Sequence, residues 1–434
     1  MMNKTLKSTL ISSLFLSCLC LSSSSFSSGF AIIENSASGM GQAYSGAAAV
    51  AEDPSTIYFN PAGMMFLEGT QVTAGMHIIN SNNEFNNMGS TQTAFTGSAE
   101  GGNAGDTFFV PNFYYVQDFG DQYKIGLGVN APFGLGVKYK EGWMGRYTST
   151  NSELKSINFN PAIAFRANDR LSIGIGANLQ YFEAILETNI NQTLLGQGDG
   201  HSKMKGDSWA FGFNGGLIYQ ATADTRLGMH FRSKISHKLE GYVRYKNISP
   251  FLSNNPDPMI SGRFSNQDVK ANIDTPATFS ISMTHNLNKK LTLLGDITYT
   301  QWSNFYELLI TGDNAPVILQ VEENWNDAYR YSLGMKYQYS PQLILRTGVA
   351  YDKTPIDDKY RTSRNPVDDR TWLSFGCSYI LNKNLTIDMG YSHLWVEDAT
   401  VNEEFAIAGG GSGALIGEFD SSFDIFSIQA TWKF

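Results

Sequence analysis

Apolar and polar residues alternate along much of this chain. In the last stretch, residues 423–434, Phe426, Ile428, Ala430, Trp432 and Phe434 share one parity, while Ser427, Gln429, Thr431 and Lys433 share the other. Successive side chains of a strand point to opposite faces. One face of this segment is therefore oily and aromatic, the other polar. The pattern recurs in 209–220, where Trp209, Phe211, Phe213, Leu217 and Tyr219 oppose Gly212, Asn214, Gly216 and Gln220. In 226–235, Leu227, Met229, Phe231 and Ile235 oppose Arg226, His230, Arg232 and Lys234. In 329–339, Tyr329, Tyr331, Leu333, Met335, Tyr337 and Tyr339 form the apolar stripe, and 385–392 repeats the theme with Leu385, Ile387, Met389 and Tyr391. Such strands suit a wall with lipid on one side and a wet lumen on the other. Tyrosines at the ends of the stripes suit two interfacial girdles.

The connections alternate in length. Tight turns are predicted at Gly120-Asp121, Asn168-Asp169, Ala223-Asp224, Asn288-Lys289, Ser340-Pro341 and Asn382-Lys383. Long polar segments fall near 81–106, 133–151, 189–204, 246–268, 303–325, 352–369 and 396–420. Interleaved, they predict an all-β fold, a 14-stranded antiparallel transmembrane barrel with short turns on the periplasmic side and long loops outside.

Composition agrees. Charged residues make up 16% of the 434 and aromatics 13%, which is too oily for disorder. The net charge of −9 implies no nucleic-acid partner. Lys4 and Lys7, the apolar run Leu10–Leu21 and Ser25-Phe-Ser27 read as a secretory signal, residues 1–27, with Ser28 starting the mature chain. Lipidation at Cys18 is the alternative, with a poor match at Phe15-Leu-Ser-Cys. After cleavage Cys377 stands alone, so no internal disulfide is expected. Beyond the signal no run of apolar residues is long enough for a spanning helix. Only helices and closed barrels satisfy their backbone groups in lipid, so the expected location is the outer membrane of a Gram-negative bacterium, with outer-membrane lipid around a monomer.

A barrel this wide is not filled by its own wall. The expected filler is residues 28–69, ahead of a first strand predicted at Thr70–Asn80. They are rich in small residues and lack alternation. A short helix is predicted over Ala43–Ala51, ended by Asp53-Pro54. Ile32, Ile33, Met40, Ile57, Tyr58, Phe59, Met64, Met65 and Phe66 are too many apolar groups for a solvated tail. The three expected parts are thus a signal (1–27), an N-terminal hatch (28–69) and a barrel (70–434).

At this segment the chain resembles the FadL/TodX family of outer-membrane transporters of long-chain fatty acids and hydrophobic compounds. The resemblance rests on Ser28-Gly-Phe30, Ser36-Ala-Ser-Gly-Met-Gly-Gln-Ala-Tyr-Ser-Gly46 and the closing Asn60-Pro61-Ala62. Trp209-Ala-Phe-Gly-Phe-Asn-Gly-Gly-Leu-Ile-Tyr219, Tyr299-Thr-Gln-Trp-Ser-Asn-Phe305, Asp327-Ala-Tyr-Arg330 and Arg346-Thr-Gly-Val-Ala-Tyr-Asp352 follow in order. Asn160-Pro161-Ala162 repeats one motif within a strand, so the order of the blocks carries the weight. The resemblance implies a fourteen-stranded barrel plugged by its N-terminus and passive uptake of hydrophobic molecules. It also implies a lumen pocket touched by the N-terminal end and lateral release at a kinked third strand.

Read on this chain, the third strand begins at Tyr123 and reaches Asn130-Ala-Pro132-Phe133-Gly134-Leu-Gly136. Proline gives no N–H to a ladder and glycine packs poorly in a strand, so Asn130, Pro132, Phe133 and Gly134 mark an expected lateral opening; alternatively the strand ends at Asn130. The resemblance makes Phe30 the pocket candidate. Phe251, Leu252, Met259 and Ile260, apolar residues in a polar loop, are candidate landing positions or ordinary loop packing. Fatty-acid members carry basic residues on the outer fifth strand and just before the Asp-Ala-Tyr-Arg block. Here Thr188 and Val321 fall at those places, with Glu183, Glu187, Glu322 and Glu323 nearby. That favours uncharged ligands such as aromatic hydrocarbons. The stripe Arg226, His230, Arg232, Lys234 is expected to tie the hatch to the wall through Glu34, Glu52 and Asp53. No catalytic or metal pattern accompanies the histidines, and no cofactor is implied. An open diffusion porin is the rival reading; it needs a charged constriction and no plug.

Overall fold

In the computed structural model, residues 29–92 and 96–434 are described; the expected signal and Ser28 lie outside the described residues. The alternating segments form one closed antiparallel barrel of 14 strands. The first seven are β1 (Gln71–Asn87), β2 (Thr107–Asp118), β3 (Tyr123–Asn130 and Gly134–Lys138), β4 (Asn151–Asn168), β5 (Leu171–Ile190), β6 (Gly200–Gln220) and β7 (Thr225–Arg232 and Ile235–Lys246). They are followed by β8 (Gln267–Thr275 and Thr278–Asn286), β9 (Leu291–Thr300 and Glu307–Gly312), β10 (Ala328–Gln338) and β11 (Leu343–Asp352). Last come β12 (Arg370–Asn382), β13 (Leu385–Val396) and β14 (Ser412–Lys433). Closure runs along β1 and β14, from Gln71↔Lys433 to Asn87↔Gly417, so the first and last strands pair with each other.

All of the predicted tight turns join neighbouring strands at one end of the barrel. Several strands run further outward than their alternation suggested: β1 continues to Asn87 and β6 begins at Gly200. The long connections carry structure of their own. Leu319–Glu322 pairs back on Glu307–Ile310, and Ala399–Ala406 pairs on the outer end of β14.

Side-chain parity follows the expectation over most of the wall. Phe426, Ile428, Trp432 and Phe434 face outward, whereas Gln429 is buried at 1% exposure. One stretch departs from it. Between the two halves of β7 the register on β6 slips by a residue, from Asn214↔Arg232 to Asp207↔Glu240. The slip at Ser233-Lys234 is a bulge. It turns Ile235 into the lumen and Lys234 outward to Asp274 at 2.7 Å, the reverse of the predicted alternation.

Residues 29–67 lie inside the barrel, with nearly all their side chains buried. The helix expected over Ala43–Ala51 shrinks to Ala47–Val50. Ala43, Tyr44, Gly46 and Ala51 all have positive φ. An alanine-rich stretch this short does not sustain a helix on propensity alone, and wall contacts set its path instead. Tyr44 packs beside Trp372, ring centroids 6.5 Å apart. Glycines let two backbones meet: a Cβ on Gly376 of β12 would stand 2.6 Å from Gly41 Cα.

The ties to the wall differ in kind from those expected. Arg226 donates to the carbonyls of Ala49 and Val50, and Arg232 to that of Tyr58, so these arginines hold backbone rather than carboxylates. Glu52 pairs with Arg346 at 2.9 Å and with Lys336, Asp53 accepts from Ser38 Oγ at 2.6 Å, and Glu34 is buried.

Candidate ligand-binding site

The lumen has two tiers. Its outer tier is apolar because the inward positions there are Leu135 (β3), Leu154 (β4), Ala184 and Leu186 (β5), Met204 (β6), Leu239 (β7), Val269 and Ile273 (β8), and Leu308 and Ile310 (β9), all buried. They enclose a cavity of about 80 Å³. Phe30 enters it from the inner segment and meets Trp302 at 4.7 Å, Phe305 at 5.7 Å, Trp325 at 5.6 Å, Phe133 at 6.0 Å and Phe182 at 6.4 Å between ring centroids. Edge-on contacts of this kind add to the area they bury. Phe30 thus lines the apolar cavity.

Four polar residues from the outer connections also line this cavity, Glu323, Thr362, Arg364 and Asn365. Trp325 Nε1 donates to Glu323 Oε2 at 2.8 Å. Burial pushes the Glu323 carboxyl up to about 8. Arg364 donates to Ser152 Oγ at 3.2 Å and to the Thr148 carbonyl at 2.7 Å. The sequence reading placed no cation here; its candidates were the fifth strand and the Val321 position. Arg364 comes from the 352–369 connection, where nothing in Arg361-Thr-Ser-Arg364 separates a buried arginine from a solvated one.

The inner tier is polar. On β3–β7, Asn158 donates to Asn130 at 3.3 Å and to Asn178 at 3.0 Å, and Asn160 and Asn178 donate to Asn214 at 2.9 and 3.1 Å. Arg232 joins at Asn178. A second cavity, about 110 Å³, lies at this level beside Tyr44, Arg232, Asp296, Arg330 and Asp352. Within this tier Asn60 is a hub. Its Nδ2 donates to the carbonyls of Ala48, Leu217 and Met229, and its Oδ1 accepts from the Ala62 N–H, capping the 3-10 turn Pro61–Phe66. Asn60, Pro61 and Ala62 thus fix the inner segment to β6 and β7 and sit away from the apolar cavity.

Asn130, Pro132, Phe133 and Gly134 fall where β3 is interrupted. Both halves of β3 pair with β4, as Asn130↔Asn158 and Gly134↔Lys155, with one extra residue on β3. The β2–β3 ladder spans only Phe113↔Val129 to Asp118↔Lys124. The inner segment takes up the break: Ile32 N–H donates to Pro132 O at 2.7 Å and Gly134 N–H to Phe30 O at 2.9 Å. Phe133 N–H donates to Ser156 Oγ at 2.8 Å, and Ser156 Oγ donates back to Phe133 O at 2.7 Å. The break borders the apolar cavity through Phe133, Leu135 and Phe30.

The loop candidates divide. Phe251 and Met259 are exposed at 60% and 59%, Ile260 sits at 36%, and Leu252 is buried. They lie on the short helices Pro250–Ser253 and Pro258–Arg263, and none lines the cavity. Among the described residues no cluster of His, Cys, Asp or Glu is placed to hold a metal. No helix there is long and apolar enough to cross a membrane.

A closed antiparallel barrel with an apolar outer skin and residues 29–67 inside it has the architecture of an outer-membrane channel. Residues 18–434 match the family described as Outer membrane protein transport protein (OMPP1/FadL/TodX), and the chain belongs to that family. It is 29% identical to a long-chain fatty acid transport protein of Escherichia coli O6:H1 over 425 residues, covering 92% of this chain and 93% of that one. Its fold matches that of a Pseudomonas aeruginosa FadL homologue with a TM-score of 0.87 at 24% identity, covering 94% and 100% of the two chains. The Pseudomonas putida toluene transporter TodX gives 0.70 at 17% identity, covering 94% and 100%. The family is one of transporters rather than enzymes, and the protein resides in the Gram-negative outer membrane.

Proposed function

We propose that this protein passes hydrophobic molecules inward across the outer membrane without energy input, with residues 28–69 as a hatch and the β3 break as a sideways exit. The observation that carries the reading is the position of the apolar cavity. It is bordered by Phe30 and the β3 break on one side, and the polar tier lies beneath it. A ligand leaving downward would meet Asn130, Asn158 and Asn178 and lose roughly 0.8 kcal/mol for each CH₂ it exposed to water. The sideways route keeps it dry. Phe251, Met259 and Ile260 on the outer loops serve as landing positions for an incoming ligand.

Both ligand classes named for the relatives stay in view. Arg364 in the cavity favours a fatty acid, and the neighbouring Glu323 favours an uncharged hydrocarbon. Uptake of oleate and toluene by cells carrying the protein separates them. Replacing Pro132 and Gly134 together with valine should slow uptake several-fold while ligand still binds the purified protein. Unchanged uptake would sink the sideways exit.

A further inference from the structure

We propose that the outer cavity holds a single-headed amphiphile in one orientation, its anionic head at Arg364 and its chain aimed at the β3 break, so that the chain enters the membrane first. The inference rests on reading this cavity as the transport site.

The cavity is polarised along β4. Arg364 contacts Ser152 Oγ near its outer end, while Phe133 of the break contacts Ser156 Oγ at the other. Four residues of strand separate these contacts, roughly 13 Å. At the inner end stand the rings of Phe30, Phe133 and Phe182, and beyond them the amides of Asn130, Asn158 and Asn178. The cation of that network, Arg232, already donates to Asn178 Oδ1 and to the Tyr58 carbonyl. A carboxylate placed there would be desolvated and would have to displace those bonds; at Arg364 it would gain charge-assisted hydrogen bonds. Two acids face Arg364. Glu323 is held neutral at neutral pH by burial, and Glu403 is engaged by the N–H and Oγ–H of Ser363 at 2.9 and 2.7 Å.

Strand register sets the membrane level. The inward row Leu154–Ala184–Gly206–Gly241–Val269 lines the cavity. The adjacent outward row is Lys155–Glu183–Asp207–Glu240–Lys270, charged at every position. The next outward row toward the periplasm holds Ile157, Tyr181 and Trp209, an interfacial girdle. The cavity therefore stands at headgroup level, above the hydrocarbon. The β3 break spans that boundary, since Gly134 pairs with Lys155 and Asn130 with Asn158. A chain lying from Arg364 toward Phe133 points down into oil, while the head stays level with lipid headgroups.

Photo-crosslinking of the full-length protein with hexadecanoate tests this. One probe carries a diazirine near the carboxylate, the other at the methyl end. The carboxylate-side probe should mark Glu323 and Thr362–Asn365, and the methyl-end probe Phe133, Leu135 and Phe182. Arg364→Gln should weaken hexadecanoate binding roughly tenfold and leave its methyl ester unaffected, and Arg364→Lys should restore much of the loss. Swapped labelling, or equal losses for acid and ester, overturns the orientation while the transport reading stands. No labelling of the cavity by either probe overturns both.

Discussion

The outer and inner tiers of the lumen are built from the same strands, a few residues apart, and behave as different solvents. Along β4 the inward side chains change from Leu154 through Ser156 to Asn158 and Asn160; along β5 they change from Leu186, Ala184 and Phe182 to Gln180 and Asn178. The outer tier has the greasy walls and few polar anchors of a small-molecule site. The inner tier offers hydrogen bonds to a piece of backbone, and residues 29–67 use them. The comparison teaches that a wide barrel can hold an apolar cavity at one level and a clamp at the next with no extra domain. The side chains at successive inward positions decide which.

The comparison is most sharply broken by putting the chemistry of one tier into the other. Leu239→Lys sets a charge in the apolar wall, where Leu239 is 4% exposed. Ligand affinity should fall roughly a hundredfold, about 3 kcal/mol. The barrel should still show heat-modifiable mobility on gels, and undiminished binding in a folded barrel would refute the dry upper tier. Next in size is Gly376→Leu, which forces a side chain against Gly41. Overpacking of this kind costs about 1–3 kcal/mol; it should loosen the clamp, raise ion leakage and leave the outer cavity binding ligand.

The smallest expected effect sharpens the outer tier alone. The Glu323 carboxyl, held up to about 8 by burial, is neutral below that pH and ionises above it. An anionic ligand should therefore bind less well as pH rises through about 8. Glu323→Gln should flatten that dependence by staying neutral, while Glu403 and Arg364 remain. A binding titration with hexadecanoate across this range reads it directly; a slope that persists in the variant assigns the titration to another group.

Much of the wall was legible in the sequence because lipid outside and water or protein inside impose a period of two. Short turns carry their own residue signatures, and Asn168-Asp169 and Asn382-Lys383 lie where β4 meets β5 and β12 meets β13. Parity fails to propagate across a bulge, so Lys234 and Ile235 were assigned to each other's faces. The Ala43–Ala51 helix was misjudged because propensity was read without the wall that Tyr44 packs on. Glu323 was named in the sequence as an acid beside the Val321 position, and it lines the cavity. Arg364 was illegible for a further reason: it reaches the cavity through a connection whose path depends on contacts distant in sequence, with Thr148 and Ser152.

Planar-bilayer conductance of the full-length protein beside a variant lacking residues 29–67 tests the division of the lumen most directly. The intact protein should conduct barely at all, and the variant should open a steady pore. Equal, near-zero conductance from a folded variant would mean that the strands alone seal the barrel and that the inner segment is no stopper.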